Sequence, residues 1–313
     1  MPRLALSALT SIMLPLLGAT LLFGQDAEAT WSARDHIPLD EFVVQSHRGA
    51  GILSEENTRQ AFELGWKLNT IPEADVRTTA DGVFVPFHDS NFSRLVKDAG
   101  PELAKQGVED VTFAELSRLD VGSWKGEEFA DRHVPRLSDI FDLMRGHPDR
   151  RLYLDLKQVD LEQLARAVRQ AGVEHQVILA STKYDQLRHW KSLLPQAKTL
   201  LWMGGAEAEL NQRFEKLRKT GFADLTQVQI HVHLKGDAQA VRPDSQDPFQ
   251  ESDAFLIARG EELRDHDILF QTLPYGGSTP EIYRKLLNLG VMSFATDHPR
   301  ATWKAIRQYY GQQ

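Results

Sequence analysis

Residues 152–181 read LYLDLKQVDLEQLARAVRQAGVEHQVILAS, and the patterning of this stretch decides the fold class. Leu152–Leu156 alternates with the period of two expected of a strand. Asp160 with Gln163 resembles a capping box, Leu161, Leu164, Ala165 and Val168 recur at helical spacing, and Gly172 closes the segment. Val177–Ser181 is a second apolar strand. Strand, helix and strand within about 30 residues make a βαβ unit, which requires a parallel sheet.

The same alternation runs outward in both directions. Strand-like runs lie at Phe42–Ser46, Ile71–Arg77, Val83–Phe87, Thr199–Met203, Val228–His233, Ile268–Leu273 and Val291–Thr296. Thr279-Pro280 opens another helix, carrying Leu286, Leu287 and Leu289, and Gly290 ends it; Thr112 with Glu115 is a further capping box. Nine strands separated by helices predict an α/β fold, a single-domain eight-stranded barrel with one accessory hairpin strand. Residues 236–250, with Asp237, Pro243, Asp244, Asp247 and Pro248, read as a polar excursion from that domain.

Of 313 residues, 42% are hydrophobic and 26% charged, which excludes disorder. Acidic residues outnumber basic ones 44 to 36, for a net charge of −8, so neither nucleic acid nor an anionic membrane surface is an expected partner. Cysteine is absent, which removes thiolate metal sites, cysteine nucleophiles and lipidated-cysteine anchors. Arg3 precedes an apolar run from Leu4 to Phe23, and Ala27-Glu28-Ala29 supplies the small-x-small pattern of a signal-peptidase site. The run is also long enough to span a bilayer as a retained anchor. Pro15, the single flanking cation and the Ala-x-Ala site favour cleavage. The expectation is a signal peptide over residues 1–29 and a mature domain over 30–313, secreted or periplasmic and without stable membrane insertion.

Reactive groups crowd the segment from Gln45 to Asp89. His47 and Arg48 follow the apolar strand Phe42-Val43-Val44, so they fall at a strand's C-terminal end, where parallel barrels build active sites. Glu73 and Asp75 stand at i and i+2 and project from one face of the next strand. Asp81-Gly82 between apolar strands predicts a two-residue hairpin that sets Asp75 opposite His88. Farther on, Tyr153, Asp155 and Lys157 share a face, so Asp155 can complete an acidic metal site and Lys157 can counter an anion beside it. Clustered carboxylates repel unless a cation lies between them, and oxygen-rich groups suit Ca²⁺ or Mg²⁺.

In their order and spacing, His47-Arg48-Gly49, Glu56-Asn57-Thr58, Glu73-x-Asp75, Asp81-Gly82 and His88-Asp89 resemble the glycerophosphodiester phosphodiesterases, of the phosphatidylinositol-phospholipase-C-like phosphodiesterase superfamily. The likeness continues through Thr112–Trp124, Pro135-Arg136-Leu137, Leu154–Lys157 and Thr296-Asp297-His298-Pro299. It implies a TIM barrel, with Glu73, Asp75 and Asp155 as ligands of a divalent cation. It also implies His47 and His88 as the catalytic pair, and Arg48 and Lys157 as the cations that hold the substrate phosphate. Three departures stand out. Asp155 is one methylene shorter than the family's usual Glu, Glu55 replaces a frequent proline, and Gln271-Thr272-Leu273-Pro274-Tyr275 replaces a tryptophan-bearing strand that shapes the alcohol pocket.

Blander readings stand beside these. Asn57-Thr58 caps the following helix and Glu56 is structural. His231 and His233 form an i, i+2 pair that suits either a metal or polar barrel lining, and Trp66, Trp124, Trp190 and Trp303 are packing residues. The expected function is metal-dependent hydrolysis of a glycerophosphodiester to glycerol 3-phosphate and an alcohol, by histidine general acid–base catalysis. The alternatives are a phospholipase-type reaction on an intact lipid and a non-catalytic phosphate- or lipid-binding barrel.

Overall fold

Each apolar run bounded by turn or cap signals becomes a strand: β1 Val43–Ser46, β2 Ile71–Thr78, β3 Phe84–Pro86, β4 Leu152–Gln158, β5 Val177–Ser181, β6 Lys198–Met203, β7 Gln227–His233, β8 Leu269–Tyr275 and β9 Ser293–Thr296. In the computed structural model, which describes residues 31–312, β1, β2 and β4 to β9 pair in parallel. The β1–β2 pairing closes the ring, and β3 lies outside it, antiparallel to β2. This is a TIM barrel in a single domain with one accessory strand. The stretch read as a signal peptide lies outside the described residues. Among the described residues no helix is long and apolar enough to cross a membrane.

Among the described residues, eight helices of at least eight residues alternate with the barrel strands: α1 Arg59–Lys67, α2 Leu137–Met144, α3 Leu161–Ala171, α4 Tyr184–Leu193, α5 Glu207–Arg218, α6 Asp253–Asp265, α7 Pro280–Asn288 and α8 Pro299–Tyr309. Helix α3 shows why the local sequence suffices. Asp160 accepts from Gln163 N at 2.8 Å, Leu161, Leu164, Ala165 and Val168 are all buried, and Gly172 ends the helix at φ +69°. Thr279 stands at the N-cap of α7 with Pro280 first in the helix, although its hydroxyl makes no capping bond. The polar stretch 236–250 leaves the barrel after β7 and is pinned back by the Leu234–Phe249 bridge.

Strand alternation sorts side chains into two layers. Leu152 and Leu154 of β4 face the helices, while Tyr153 points into the barrel with Ile71, Ile178, Ala180 and Leu200. That interior is partly polar: Tyr153 donates to Gln227 Oε1 at 2.7 Å, and Gln271 Nε2 donates to Ser293 Oγ at 2.9 Å. Burying amides and hydroxyls is tolerable because they bond one another. Between β3 and α2 the chain builds an insertion with its own apolar core, including Val85, Phe87, Phe92, Leu95, Phe113 and Leu116.

The hairpin register differs from the two-residue expectation. Val76 pairs with Pro86, Arg77 with Val85 and Thr78 with Phe84, so the loop holds three residues, Ala80–Gly82. Asp75 therefore meets Phe87, whose N–H bonds its carbonyl at 2.7 Å, rather than His88. The cause is local. Gly82 takes φ +82°, the left-handed closing position of a three-residue hairpin, and Asp81 is committed elsewhere, accepting from Thr79 Oγ1 at 2.6 Å and Phe113 N at 2.9 Å.

Candidate active site

The C-terminal ends of β1, β2 and β4 supply most of the cluster. After β1 the chain turns sharply: Arg48 adopts φ +51° and Gly49 φ +106°, and a Cβ on Gly49 would meet Ala61 Cβ at 2.6 Å. The turn aims Arg48 N–H at Glu73 Oε2, 2.7 Å away. On β2, Glu73 and Asp75 point inward, and the parallel register sets Asp155 of β4 directly beside Asp75. His47, Arg48, Glu73, His88, Asp155 and Lys157 line one cleft of about 140 Å³ at the barrel mouth. Asp75 lies beneath them, wholly buried, and holds Lys157 Nζ at 3.0 Å and Asn57 Nδ2 at 2.8 Å. All seven site residues expected from the sequence thus come together.

Glu73, Asp75 and Asp155 are buried and each offers a carboxylate oxygen within 4.8 Å of the others. Among the described residues no other group of three His, Asp or Glu converges in this way, and His231 and His233 do not. Burial and the charge of Asp75 push Glu73 up to about 8. Burial likewise raises Asp155, against the pull of Lys157. For Asp75 burial is outweighed by Lys157, His88 and Arg48, which hold it low. Glu73 Oε1 is buried without a hydrogen-bond partner. A cluster with one deprotonated member, two disfavoured ones and an orphaned oxygen could hold a positive guest.

Each histidine is backed by a carboxylate. His47 Nδ1 lies 2.7 Å from Asp297 Oδ1, and His88 Nδ1 lies 2.7 Å from Asp89 Oδ1. Both rings are therefore left with Nε2 free, and both line the cleft. Burial alone would depress His47, but the Asp297 bond and the charges of Glu73 and Asp297 raise it to about 9. The three-residue loop does not remove His88 from the site: the ladder ends at the Phe87 N–H bond to the Asp75 carbonyl, and His88 just beyond it lines the cleft and helps hold Asp75 low.

Several participants escaped the sequence reading. Asn57 does not cap α1, a task that falls to Thr58, which accepts from Ala61 N at 3.2 Å. Instead Asn57 takes φ +56° and grips Asp75 at both side chain and backbone. Glu56 binds Arg48 Nη1 at 3.1 Å. Trp202 lines the cleft and donates to Asp155 Oδ1 at 2.9 Å. Asp297 was visible only as part of a closing motif; its place just after β9, at a strand's C-terminal end, was the available signal.

The chain resembles known proteins in both sequence and fold. The chain is 31% identical over 163 residues to a glycerophosphodiester phosphodiesterase of Caldanaerobacter subterraneus, a stretch covering 50% of this chain and 64% of that protein, just under two thirds of its length. It is 24% identical over 290 residues to a Bacillus subtilis glycerophosphodiester phosphodiesterase, covering 86% and 88% of the two chains. The fold is shared with an Oleispira antarctica phosphodiesterase solved in complex with the product sn-glycerol-3-phosphate, at TM-score 0.62 and 22% identity over 88% of this chain and 99% of that one. Residues 47–301, which begin at His47 and run past Asp297, match the family model as a whole, and the chain belongs to the glycerophosphoryl diester phosphodiesterase family.

Proposed function

We propose that this protein hydrolyses a glycerophosphodiester to glycerol 3-phosphate and an alcohol. The observation that carries the reading is the single cleft in which two carboxylate-backed imidazoles and two cations surround a buried three-carboxylate cluster. Relatives over both the aligned half and the longer span bear the name of this activity, and one fold neighbour was solved with sn-glycerol-3-phosphate.

Glu73, Asp75 and Asp155 fit a hard divalent cation, Ca²⁺ or Mg²⁺, because all three offer oxygen and Glu73 Oε1 has no other partner. When bound there, such an ion would supply positive charge to the phosphate oxygens. Arg48 and Lys157 hold the phosphate from the cleft wall, Arg48 poised by Glu56 and Lys157 by Asp75 and Asp155. In its neutral form His47 removes the proton of the attacking hydroxyl, of water or of the glycerol, as the new O–P bond forms. Where that hydroxyl is the glycerol's own, the first product is a cyclic phosphate, which water then opens to glycerol 3-phosphate with the two rings exchanging roles. His88 gives its proton to the departing alkoxide as the old P–O bond breaks. Asp297 and Asp89 keep the two rings oriented, and Asp297 also stabilises the charged form of His47. Export with loss of residues 1–29 belongs to the same proposal, and places the reaction outside the cytoplasm.

The test is a product assay on the purified chain with a panel of glycerophosphodiesters and intact phospholipids. Glycerol 3-phosphate is expected from the diesters. Turnover of the intact lipids alone would replace this reading with a phospholipase, and no turnover of either would leave a binding barrel.

A further inference from the structure

Arg94 belongs to the insertion, outside the barrel, and does not line the cleft. Yet its guanidinium makes four charge-assisted bonds to two carboxylates. Nε donates to Asp89 Oδ2 at 2.7 Å and Nη2 to Asp89 Oδ1 at 2.9 Å; Nη1 donates to Glu56 Oε2 at 2.8 Å and Nη2 to Glu56 Oε1 at 2.7 Å. Each carboxylate in turn holds a cleft residue. Asp89 Oδ1 meets His88 Nδ1 at 2.7 Å, and Glu56, itself 9% exposed, meets Arg48 Nη1 at 3.1 and 3.2 Å. The result is an unbroken ionic chain: Arg48, Glu56, Arg94, Asp89, His88. The Trp124 ring, 5.5 Å from the Arg94 carbon, covers the guanidinium face.

We propose that Arg94 is a positioning residue that sets the proton donor His88 and the phosphate-holding Arg48 at a fixed separation, through Asp89 and Glu56. The inference rests on the roles given to His88 and Arg48 above. Arginine is required because only a planar fork presents donors to two carboxylates along two edges at once; a lysine is a point charge and can satisfy one. Glu56 already has Arg48 as a counter-ion, and the insertion is already tied to the barrel by the β2–β3 hairpin and the Ala80 N–H bond to Val111 O at 2.9 Å. Neutralising Glu56 and attaching the insertion therefore do not account for the double fork. What it adds is alignment between two elements from different parts of the chain. A misplaced proton donor loses much of its effect, because proton transfer needs hydrogen-bond reach.

The two arms leave separate signatures. Through Asp89, Arg94→Ala lowers kcat on an alkyl glycerophosphodiester by roughly 10²-fold, the low end of what general-acid help is worth, and spares a nitrophenyl diester whose leaving group needs no proton. Through Glu56 and Arg48 it raises KM several-fold on both substrates. Arg94→Lys, which keeps the charge and most of the packing, shows the same split at smaller size. The double variant Arg94→Ala/His88→Ala has the kcat of His88→Ala alone on the alkyl substrate, since the acid arm acts only through that ring. A readout free of turnover is the ¹⁵N spectrum of the His88 ring at alkaline pH. The native chain shows the single tautomer with hydrogen on Nδ1, and Arg94→Lys shows a mixture. Equal kcat losses on both diesters, additive losses in the double variant, or an unchanged His88 tautomer would each overturn the proposal. An inactive wild-type chain would instead count against the phosphodiesterase reading, and the tautomer would still decide the role of Arg94.

Discussion

The cation proposed for Glu73, Asp75 and Asp155 would compete with a proton for the oxygens of Glu73, and that competition can be counted. Burial and the adjacent Asp75 charge push this carboxyl up to about 8. A group with that value is about nine-tenths protonated at pH 7 and about one-tenth at pH 9. A cation held by Glu73, Asp75 and Asp155 needs the carboxylate form, so binding at pH 7 expels about 0.9 proton from this residue. The sign follows directly: the cation-free state holds the extra proton, so apparent Ca²⁺ affinity falls as pH drops below about 8, approaching tenfold per pH unit. His47 is a second source of protons in the same cluster. Against the pull of burial, its Asp297 bond and the nearby carboxylates raise it to about 9. His47→Asn removes that source and leaves the Glu73 proton in place. The assay is titration calorimetry of the cation-free His47→Asn chain with Ca²⁺, at one pH, in buffers of different ionisation enthalpy. Release near zero at pH 7, or an affinity that does not change between about pH 6 and 8, would refute the assignment of Glu73 as a ligand whose proton must leave.

Four further outcomes are expected. Asp75→Asn loses most activity, because it removes charge while preserving shape, and Asp155→Glu is far milder than Asp155→Asn in kcat/KM, because it keeps the carboxylate. His88→Ala fails on an alkyl diester yet recovers on a nitrophenyl diester, whereas His47→Ala is impaired on both; a recovery seen for His47→Ala instead would exchange the two roles. Phe92→Ala opens the insertion's core, where Phe92 packs edge-on against Phe87 with ring centres 5.5 Å apart, and costs about 3–5 kcal/mol. Hydrogen exchange should quicken across residues 83–134 ahead of the barrel strands, and uniform quickening would show that the insertion is not a separate cooperative unit. The exported protein should begin near Thr30 by N-terminal sequencing, and full-length chain recovered from a detergent-extracted membrane fraction would reverse the expectation of cleavage.

Much of this fold was readable from local chemistry. The nine apolar runs became nine strands, with bounds shifted by a residue or two, because most are closed by a cap, a glycine or a proline that acts over three or four residues. Glu73, Asp75 and Asp155 were readable for a similar reason: their direction follows from strand alternation, which needs no tertiary information. What alternation cannot supply is lateral pairing. That Asp155 stands beside Asp75 depends on the parallel register of β2 and β4, which lie about 80 residues apart in sequence and are joined across the whole insertion. Asn57 escaped because its sequence context, one residue before a capping threonine, is that of a cap. Only the left-handed turn at φ +56° sends it to Asp75 instead.

His88 shows how a wrong register can leave a site intact. Opposite pairing across a two-residue turn would have placed it by the sheet, and the three-residue loop removes that cause. Pro86 offers no N–H, the Phe87 N–H to Asp75 carbonyl bond is the last rung, and beyond it alternation no longer dictates where side chains point. The position of His88 is set by other means: Arg77 donates to its carbonyl from Nε at 3.3 Å and Nη2 at 3.0 Å, and Asp89, gripped by Arg94, takes its ring nitrogen. The two halves of the site are therefore held by different physics. Three carboxylates ride on paired strands, where moving one means breaking a ladder of backbone bonds. His88 and Arg48 ride on loops held by ion pairs, which yield to a single charge change. Substitutions that alter the insertion's charges should accordingly change turnover and leaving-group dependence while leaving cation affinity at Glu73, Asp75 and Asp155 in place.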